Sequence, residues 1–397
     1  MGENMTKQKY RVLCLGAGAT NLTLMSGVLH TLHHAWQEKA EEKPNVITMA
    51  GAGAVVGLHY LAPKGMKSED PFKVKAEALE NTINIGISDA IYEMLPINYK
   101  VFGKSGPSAD LFNEYWFGLP EVQAAMRQSG MSDAEALCSD WLLFQGAMMC
   151  PTDVNFFSQG VCEHPRFFDE LIDFEKLKEI DPNETELEIN AFCIEDQKLV
   201  DFTNYELEQN GQPRTRNGGE LIKKEITIDH LKAALSFPFL HPPYKIGNKH
   251  YYEGAAYQCL NDYMPDDVEK IEWIVVLDPL RSKMIGMPSN LWDAFALSIL
   301  MPTIGLSEMG RAILELKEDH KDAKTRLANL PKGPLSPPQL LLAQRHNLYL
   351  LEYEIDDDKV PGSWGWSRSS MKYLFEKGQK AGRKIVKELY GDRRSKQ

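Results

Sequence analysis

The segment from Asn45 to Leu61, NVITMAGAGAVVGLHYL, constrains the fold more than any other part of the chain. A strand-like run, Asn45–Met49, is followed by a turn of small residues at Ala50–Gly53, and then by an apolar segment, Ala54–Leu61, that continues as a helix would. A strand, a tight turn and a helix form the setting of a nucleophile elbow, in which a Ser or Cys normally stands at the apex. Here the apex candidate is Gly51, which has no side chain with which to attack a substrate.

A similar unit precedes this one. Tyr10–Leu15 predicts a buried strand, Gly16–Asn21 is a glycine-containing turn, and Leu22–Trp36 carries apolar residues at helical spacing. Two such units in succession indicate parallel strands joined by crossover helices, and therefore an α/β sheet. A hairpin at Leu187–Phe202 and a buried strand at Glu272–Leu277 are predicted to belong to the same sheet.

The remainder of the chain is predicted to be mostly helical. We expect an α/β domain over residues 1–282, with a cap-like helical insertion at about 65–186, and a helical extension over 283–397 packed on the core. The extension ends in a basic amphipathic segment, Met371–Tyr390. The apolar run Ala294–Leu306 contains Pro302 and is too short to span a bilayer.

Composition excludes some classes of function. A formal charge of −12 argues against a dedicated nucleic-acid binder, which has to neutralise phosphates. The six cysteines lack metal-ligand spacing, so we expect free thiols in a reducing compartment and neither a metal nor a cofactor. The polar N-terminus has no apolar signal region, which predicts a soluble, cytoplasmic protein, although Gly2 and Thr6 fit the short myristoylation pattern.

Leu231–Asn261 is the second informative segment. It holds, in order, Ala233–Pro238, Pro242-Pro243, a hairpin pattern at Lys245–Tyr252, and the triplet Glu253-Gly254-Ala255. Together with the two glycine turns, this order of blocks resembles the patatin-like phospholipase superfamily across roughly Tyr10–Pro279. The resemblance implies a three-layer α/β sandwich with a mostly parallel central sheet, and a lipid or other acyl-bearing substrate cleaved through a Ser–Asp dyad.

The chain departs from the superfamily at each chemically active position. The resemblance puts Gly51 at the position of the nucleophilic Ser and Glu253 at the position of the dyad Asp. Their neighbours Ala52 and Gly254 are predicted to belong to the oxyanion or substrate-binding set. The Arg usual in the oxyanion loop is absent, and Thr20 stands in that neighbourhood. The scaffold motifs around these positions are present, so the sequence predicts a divergent member without a Ser nucleophile.

The first glycine turn has three interpretations. The backbone amides of Gly16, Ala17, Gly18 and Ala19, at a helix N-terminus, form an oxyanion hole without any side chain. Alternatively, the glycines only permit close packing between strand and helix. A dinucleotide fingerprint fits poorly, because Asn21 stands where the third glycine belongs.

Glu253 is the residue best suited to acid/base chemistry. It is predicted to act on water or on an acidic substrate proton, although a carboxylate that merely caps the adjacent turn is the structural alternative. Four other residues could in principle replace the missing nucleophile: Cys14, Thr48, His59 and Cys259. None of them has a suitable base at a spacing in the sequence that predicts a nucleophile–base pair.

The sequence therefore supports three hypotheses about the function of the protein. The first is an enzyme of altered chemistry that acts on an acyl- or carboxyl-bearing small molecule or lipid, with Glu253 as acid/base. The second is a pseudoenzyme that binds an acyl ligand or a protein partner, and the third is an acyl hydrolase with an unrecognised nucleophile. The basic C-terminal segment offers weak contact with an anionic membrane surface, and the oligomeric state is not predicted.

Overall fold

The computed structural model describes residues 9–18, 21–85, 160, 162, 164, 168–205, 208–209, 212–213, 220–261, 271–288, 291–328, 348–354 and 368–391. The elements of the first half are β1 (Tyr10–Leu15), α1 (Leu22–Gln37), β2 (Val46–Met49), α2 (Ala52–Leu61), α3 (Pro71–Asn81), α4 (Phe168–Leu171), α5 (Phe174–Lys178), β3 (Glu186–Cys193) and β4 (Lys198–Thr203). The second half contains β5 (Glu208–Gln209), β6 (Gln212–Pro213), β7 (Glu220–Lys223), α6 (Ile228–Ala234), β8 (Tyr244–Ile246), β9 (Lys249–Glu253), β10 (Ile271–Leu277), α7 (Leu291–Ala328), β11 (Leu348–Leu350) and α8 (Arg368–Tyr390).

The central sheet is mixed but mostly parallel along its main path. Its strand order is β11-β10-β1-β2-β3-β4-β7, with every neighbouring pair parallel except β3 and β4. The short hairpin β8–β9 joins antiparallel to β3 and places Glu253 opposite Ala191. β1 and β2 end in register, Leu15 beside Met49, so that the two turns that follow them lie side by side.

Two layers of helices enclose the sheet. Alternate residues of the strands, including Leu13 and Ile47, point into a large core formed with α1, α2 and α8. The opposite face carries Val12, Cys14 and Val276, which pack against Leu314 of α7. Strands buried on both faces are uniformly apolar, as expected for parallel strands covered by helices on both sides.

Helices α1 and α8, which are far apart in sequence, are in close backbone contact. A Cβ built on Gly378 would overlap the carbonyl oxygen of Leu24 and lie 3.0 Å from its carbonyl carbon, and one built on Gly27 would overlap the carbonyl oxygen of Phe375. The two backbones approach this closely because neither glycine carries a side chain. Leu374, like other apolar residues of α8, is buried in the resulting contact.

The predicted α/β fold with a mostly parallel sheet between helices is confirmed. The hairpin at Leu187–Phe202 is confirmed as β3–β4, while α2 begins at Ala52, two residues before the predicted start. The extension, which is predicted to be helical over 283–397, also contains the parallel edge strand β11 at Leu348–Leu350. Most of the predicted helical insertion, residues 86–159, lies outside the described residues.

The long helix α7 also differs from the prediction. It continues through Pro302, and the stretch Leu297–Leu316 is long and apolar enough to cross a membrane by length and composition. The side chains of Ser307 and Arg311 bond to buried Asp278 at the end of β10. One face of α7 is therefore fixed to the core of the protein.

Candidate active site

The second glycine turn has the backbone of a strained elbow. Gly51 has φ +50° and ψ −126°, a conformation that L residues rarely adopt, and it directly precedes α2. The amides of Gly53 and Ala54 donate to the carbonyl oxygens of Ala50 and Gly51 at 2.9 Å and close the turn. The strand–turn–helix geometry predicted from Asn45–Leu61 is therefore present, with Gly51 at its apex.

The elbow rests directly on the first turn. A Cβ on Gly53 would overlap the carbonyl oxygen of Leu15 and lie 2.7 Å from that of Gly16. The amide of Ala50 donates to the same Leu15 carbonyl at 3.0 Å. Glycine at position 53 is thus required by close backbone packing, and the two turns form one continuous surface.

The amides of the first turn are only partly available for a ligand. Gly16 N–H donates to Leu277 O at 3.0 Å, and Ala17 N–H donates to Cys259 O at 3.4 Å. Gly18 has φ +145°, and a Cβ there would lie 2.6 Å from Pro279 Cγ. Two of the four amides predicted for the oxyanion hole are therefore bonded within the protein, which favours a packing role for Gly16 and Ala17. Ala19 lies outside the described residues.

Glu253 faces Gly51, as the order of the sequence blocks predicts. Its backbone amide donates to Ser236 O at 2.9 Å, which fixes the end of β9. A Cβ built on Gly51 would overlap Glu253 Oε1 and lie 3.2 Å from both Glu253 Cδ and Ala17 Cβ. The carboxyl group therefore occupies the space that a side chain at position 51 would need.

The surroundings of this carboxyl group are apolar. Ala17, Ala50 and Ala255 form a small buried cluster beside it, and Ala52 is partly buried at the start of α2. Burial raises the pKa of Glu253 to about 8. At pH 7 the group is mostly protonated and can donate a hydrogen bond or a proton to a carbonyl oxygen.

The loop after Glu253 is fixed from β3. Gly254 packs so closely on Asn190 that a Cβ there would lie 2.6 Å from Asn190 Cγ. Asn190 also donates through Nδ2 to Gln258 O at 3.1 Å. These contacts hold the Glu-Gly-Ala turn against the sheet and leave Gly254 with a structural role in the positioning of Glu253.

The substitute nucleophiles are engaged elsewhere. Thr48 and Cys14 donate to Asn261 O at 2.7 and 3.5 Å on the side of the sheet covered by α7. The two ring nitrogens of buried His59 lie within hydrogen-bond distance of the backbone carbonyls of Leu171 and Ala78, and the neutral ring donates to one of them. Cys259 is buried, which raises the pKa of its thiol. Each behaves as a packed core residue.

Sequence reasoning missed one Ser–His pair near Glu253. Ser236, whose carbonyl holds Glu253, lies 2.8 Å through Oγ from His164 Nε2 and donates to Lys232 O at 2.9 Å. The single hydroxyl hydrogen of Ser236 can be directed either to Lys232 O or to His164 Nε2, and the tautomer of His164 decides which. Burial lowers the pKa of His164 to about 2, so its ring is neutral at pH 7. No signal in the sequence links these residues.

No group of three or more His, Cys, Asp or Glu side chains able to hold a metal occurs in the part of the chain that the structure describes. The features at this site are a strained strand–helix turn, a buried acid over its apex, and a neighbouring glycine turn at the end of β1. They define a class of α/β protein with a hydrolase-type elbow.

Comparison with known proteins gives the family. The pattern of the patatin-like phospholipase family matches residues 13–260, so the chain belongs to that family. The match includes both turns and Glu253. No curated protein sequence matches the chain significantly. Among solved structures, VipD from Legionella pneumophila aligns with a TM-score of 0.38 at 12% identity, over 96% of this chain and 67% of VipD.

Proposed function

We propose that this protein acts on an acyl- or carboxyl-bearing small molecule or lipid, with Glu253 as acid/base and without a Ser nucleophile. The observation that carries the proposal is the overlap between Glu253 Oε1 and any side chain at position 51. The acid lies where an attacking side chain would stand. Family membership supports the class of substrate, because acyl groups are what patatin-like phospholipases cleave.

In this proposal protonated Glu253 acts first as an acid. It donates its proton to an oxygen of the bound acyl group while a water molecule adds to the carbonyl carbon. The resulting carboxylate then takes a proton from the added water, which regenerates the acid. Glu253 then donates its proton to the leaving alkoxy oxygen and takes the hydroxyl proton as the carbonyl group re-forms, so that an alcohol and a carboxylic acid are released. The same acid supports non-hydrolytic proton transfer next to a carbonyl group.

The test compares acyl-ester turnover by the wild type, Glu253→Gln and Gly51→Ser. Gln retains the size of Glu but cannot exchange the proton, so we expect turnover to fall by about 100-fold, at the lower end of the range for general acid–base catalysis. Activity-based serine probes should not label the wild type. Labelling of the wild type, or turnover unchanged in Glu253→Gln, would show that an unrecognised nucleophile does the chemistry.

A second candidate function is ligand binding without turnover. It is supported by the bonds from Gly16 and Ala17 to backbone carbonyls, which remove two donors that an oxyanion hole needs. We expect a binding protein to show saturable uptake of a fatty acid probe and no ester turnover at any pH from 5 to 9. A cytoplasmic location remains a prediction for either candidate.

A further inference from the structure

The outer face of α7 is apolar and exposed. Ser307 and Arg311 tie the opposite face to Asp278, whereas the outward side presents a row of large apolar side chains. In the loop before α7, the side chain of Ser282 donates a hydrogen bond to Glu308. This loop contributes two further exposed apolar side chains. We call this set of exposed side chains the α7 face: Ile285, Met287, Met301, Met309, Ile313 and Leu316.

The α7 face lies next to the candidate site. On the inner side of the helix, Cys259 donates through Sγ to Thr303 O at 3.2 Å, and Gly310 packs on Leu260. The same Sγ atom lies 3.2 Å from Ala255 O, within the turn that follows Glu253. A molecule that contacts the α7 face is therefore separated from the Glu253 turn by the thickness of one helix, about 10 Å.

The α7 face is nearly uncharged and rich in methionine, which restricts the kind of partner that it can bind. Between Leu297 and Leu316, Glu308 is the one exposed charged residue, and the Arg311 guanidinium lies 3.9 Å from its carboxylate. The stretch has a mean hydropathy of 1.2, and only 22% of it is buried. Exposed apolar area of this extent marks an interaction site, and flexible methionines adapt to a surface without fixed shape.

We propose that the α7 face binds a neutral lipid surface, with α7 lying in the plane of the interface. The helix does not span the bilayer, because Ser307 and Arg311 keep its inner face on the protein. Attraction to anionic lipid contributes little, since the one exposed cation in the described loop before α7, Lys283, lies 4.0 Å from Glu354 and the chain carries a formal charge of −12. Delivery of an acyl ligand to Glu253 from this surface rests on the proposed function.

Vesicle flotation of the full chain tests the proposal. The variant Met309→Gln/Ile313→Gln/Leu316→Gln removes three apolar side chains of the α7 face and retains good helix formers. The matched control, Lys372→Gln/Lys380→Gln/Arg383→Gln, alters exposed residues of the basic helix α8. Vesicles consist of phosphatidylcholine alone or of phosphatidylcholine mixed with phosphatidylserine.

We expect the wild type and the α8 control to float with phosphatidylcholine vesicles equally at low and high salt. The α7 variant should partition at least about tenfold less, because interfacial binding scales with the apolar area buried. Unfolding curves of the variants establish that the fold is intact.

Three results would overturn the proposal. The first is binding that requires phosphatidylserine, and the second is equal flotation of the wild type and the α7 variant. The third is that neither form binds vesicles, while the wild type is a dimer and the α7 variant is a monomer. The last would assign the α7 face to a second copy of the chain. Glu253→Gln should float like the wild type, because Glu253 is not part of the α7 face. Flotation therefore tests the lipid surface, and ester turnover tests the proposed chemistry separately.

Discussion

The α1–α8 interface and the elbow both depend on glycine, but for different reasons. At the interface, a Cβ on Gly378 would meet the backbone of Leu24, which belongs to a packed helix. At the elbow, a Cβ on Gly51 would meet the end of a side chain, the carboxyl group of Glu253. A backbone atom cannot move away without moving its helix, whereas a carboxyl group can rotate.

The difference separates a glycine needed for folding from one linked to the site. Gly378 sets the distance between two helices, so its substitution affects the stability of the whole core. Gly51 sets the position of one acid, so its substitution affects the protonation and reach of Glu253. The following predictions test this distinction.

The largest effect is expected from Glu253→Gln at alkaline pH. The folded pKa of about 8 exceeds the ordinary value of 4.5. The contribution of Glu253 to stability is therefore fully present below pH 4.5 and is lost as pH rises to about 8, because the unfolded chain ionises first. Each unit of pKa difference is worth about 1.4 kcal/mol, so Gln at position 253 should stabilise the protein at pH 8.5 by up to about 5 kcal/mol relative to Glu.

Urea unfolding from pH 5 to 9 measures this effect. The exposed substitution Glu179→Gln serves as the control and should leave the pH profile unchanged. Buried histidines with a lowered pKa, such as His164, make stability depend on pH only below about 6.5. A slope between pH 6.5 and about 8 that persists in Glu253→Gln would therefore assign this part of the pH dependence to another buried group, and would contradict a neutral carboxyl group at the elbow.

Gly378→Ala is expected to lower the free energy of unfolding by about 3 kcal/mol, because the added methyl group pushes α1 and α8 apart. The matched control is Gly305→Ala on α7, where a Cβ would meet nothing within 4 Å. That change should raise stability by about 1 kcal/mol through helix propensity. Equal effects at both helical glycines would contradict the close backbone contact at Gly378.

Gly51→Ser should cost about 2 kcal/mol, because an L residue is strained at φ +50° and its Cβ displaces Glu253. In the background Glu253→Asp, which withdraws the carboxyl group by one methylene, about 1 kcal/mol of this cost should be recovered. A double-mutant cycle measured by urea unfolding gives this coupling. Strict additivity would show that the carboxyl group and position 51 are not in contact.

Short-range sequence patterns predict the elements of the fold that are formed by neighbouring residues. The two strand–turn–helix units and the β3–β4 hairpin follow from apolar periodicity and small-residue turns. The edge strand β11 lies in the run LYLLEY at residues 348–353, whose apolar and aromatic residues are typical of a strand, so a local signal was present and the helical prediction overlooked it. The exposure of the α7 face was unpredictable, because an apolar helix is read from sequence as buried.

The candidate site is predictable in its residues but not in its distances. The order of the blocks places Glu253 opposite Gly51, and the structure brings them together. The bonds from Gly16 and Ala17 to the carbonyls of Leu277 and Cys259 depend on segments more than 200 residues away. The contact between His164 and Ser236 also depends on tertiary packing. Such contacts leave no spacing signal in the chain.

The packing of α8 on α1 has a consequence for synthesis of the chain. α1 is complete by Gln37, yet the helix that covers it ends at Tyr390, and β10, which pairs with β1, begins at Ile271. On the ribosome, the side of α1 that packs on α8 therefore stays uncovered until Tyr390 has been synthesised. Contacts of such long sequence separation slow folding and leave a nascent chain open to aggregation. Expression of the protein should accordingly depend on chaperones that bind its first fifty residues.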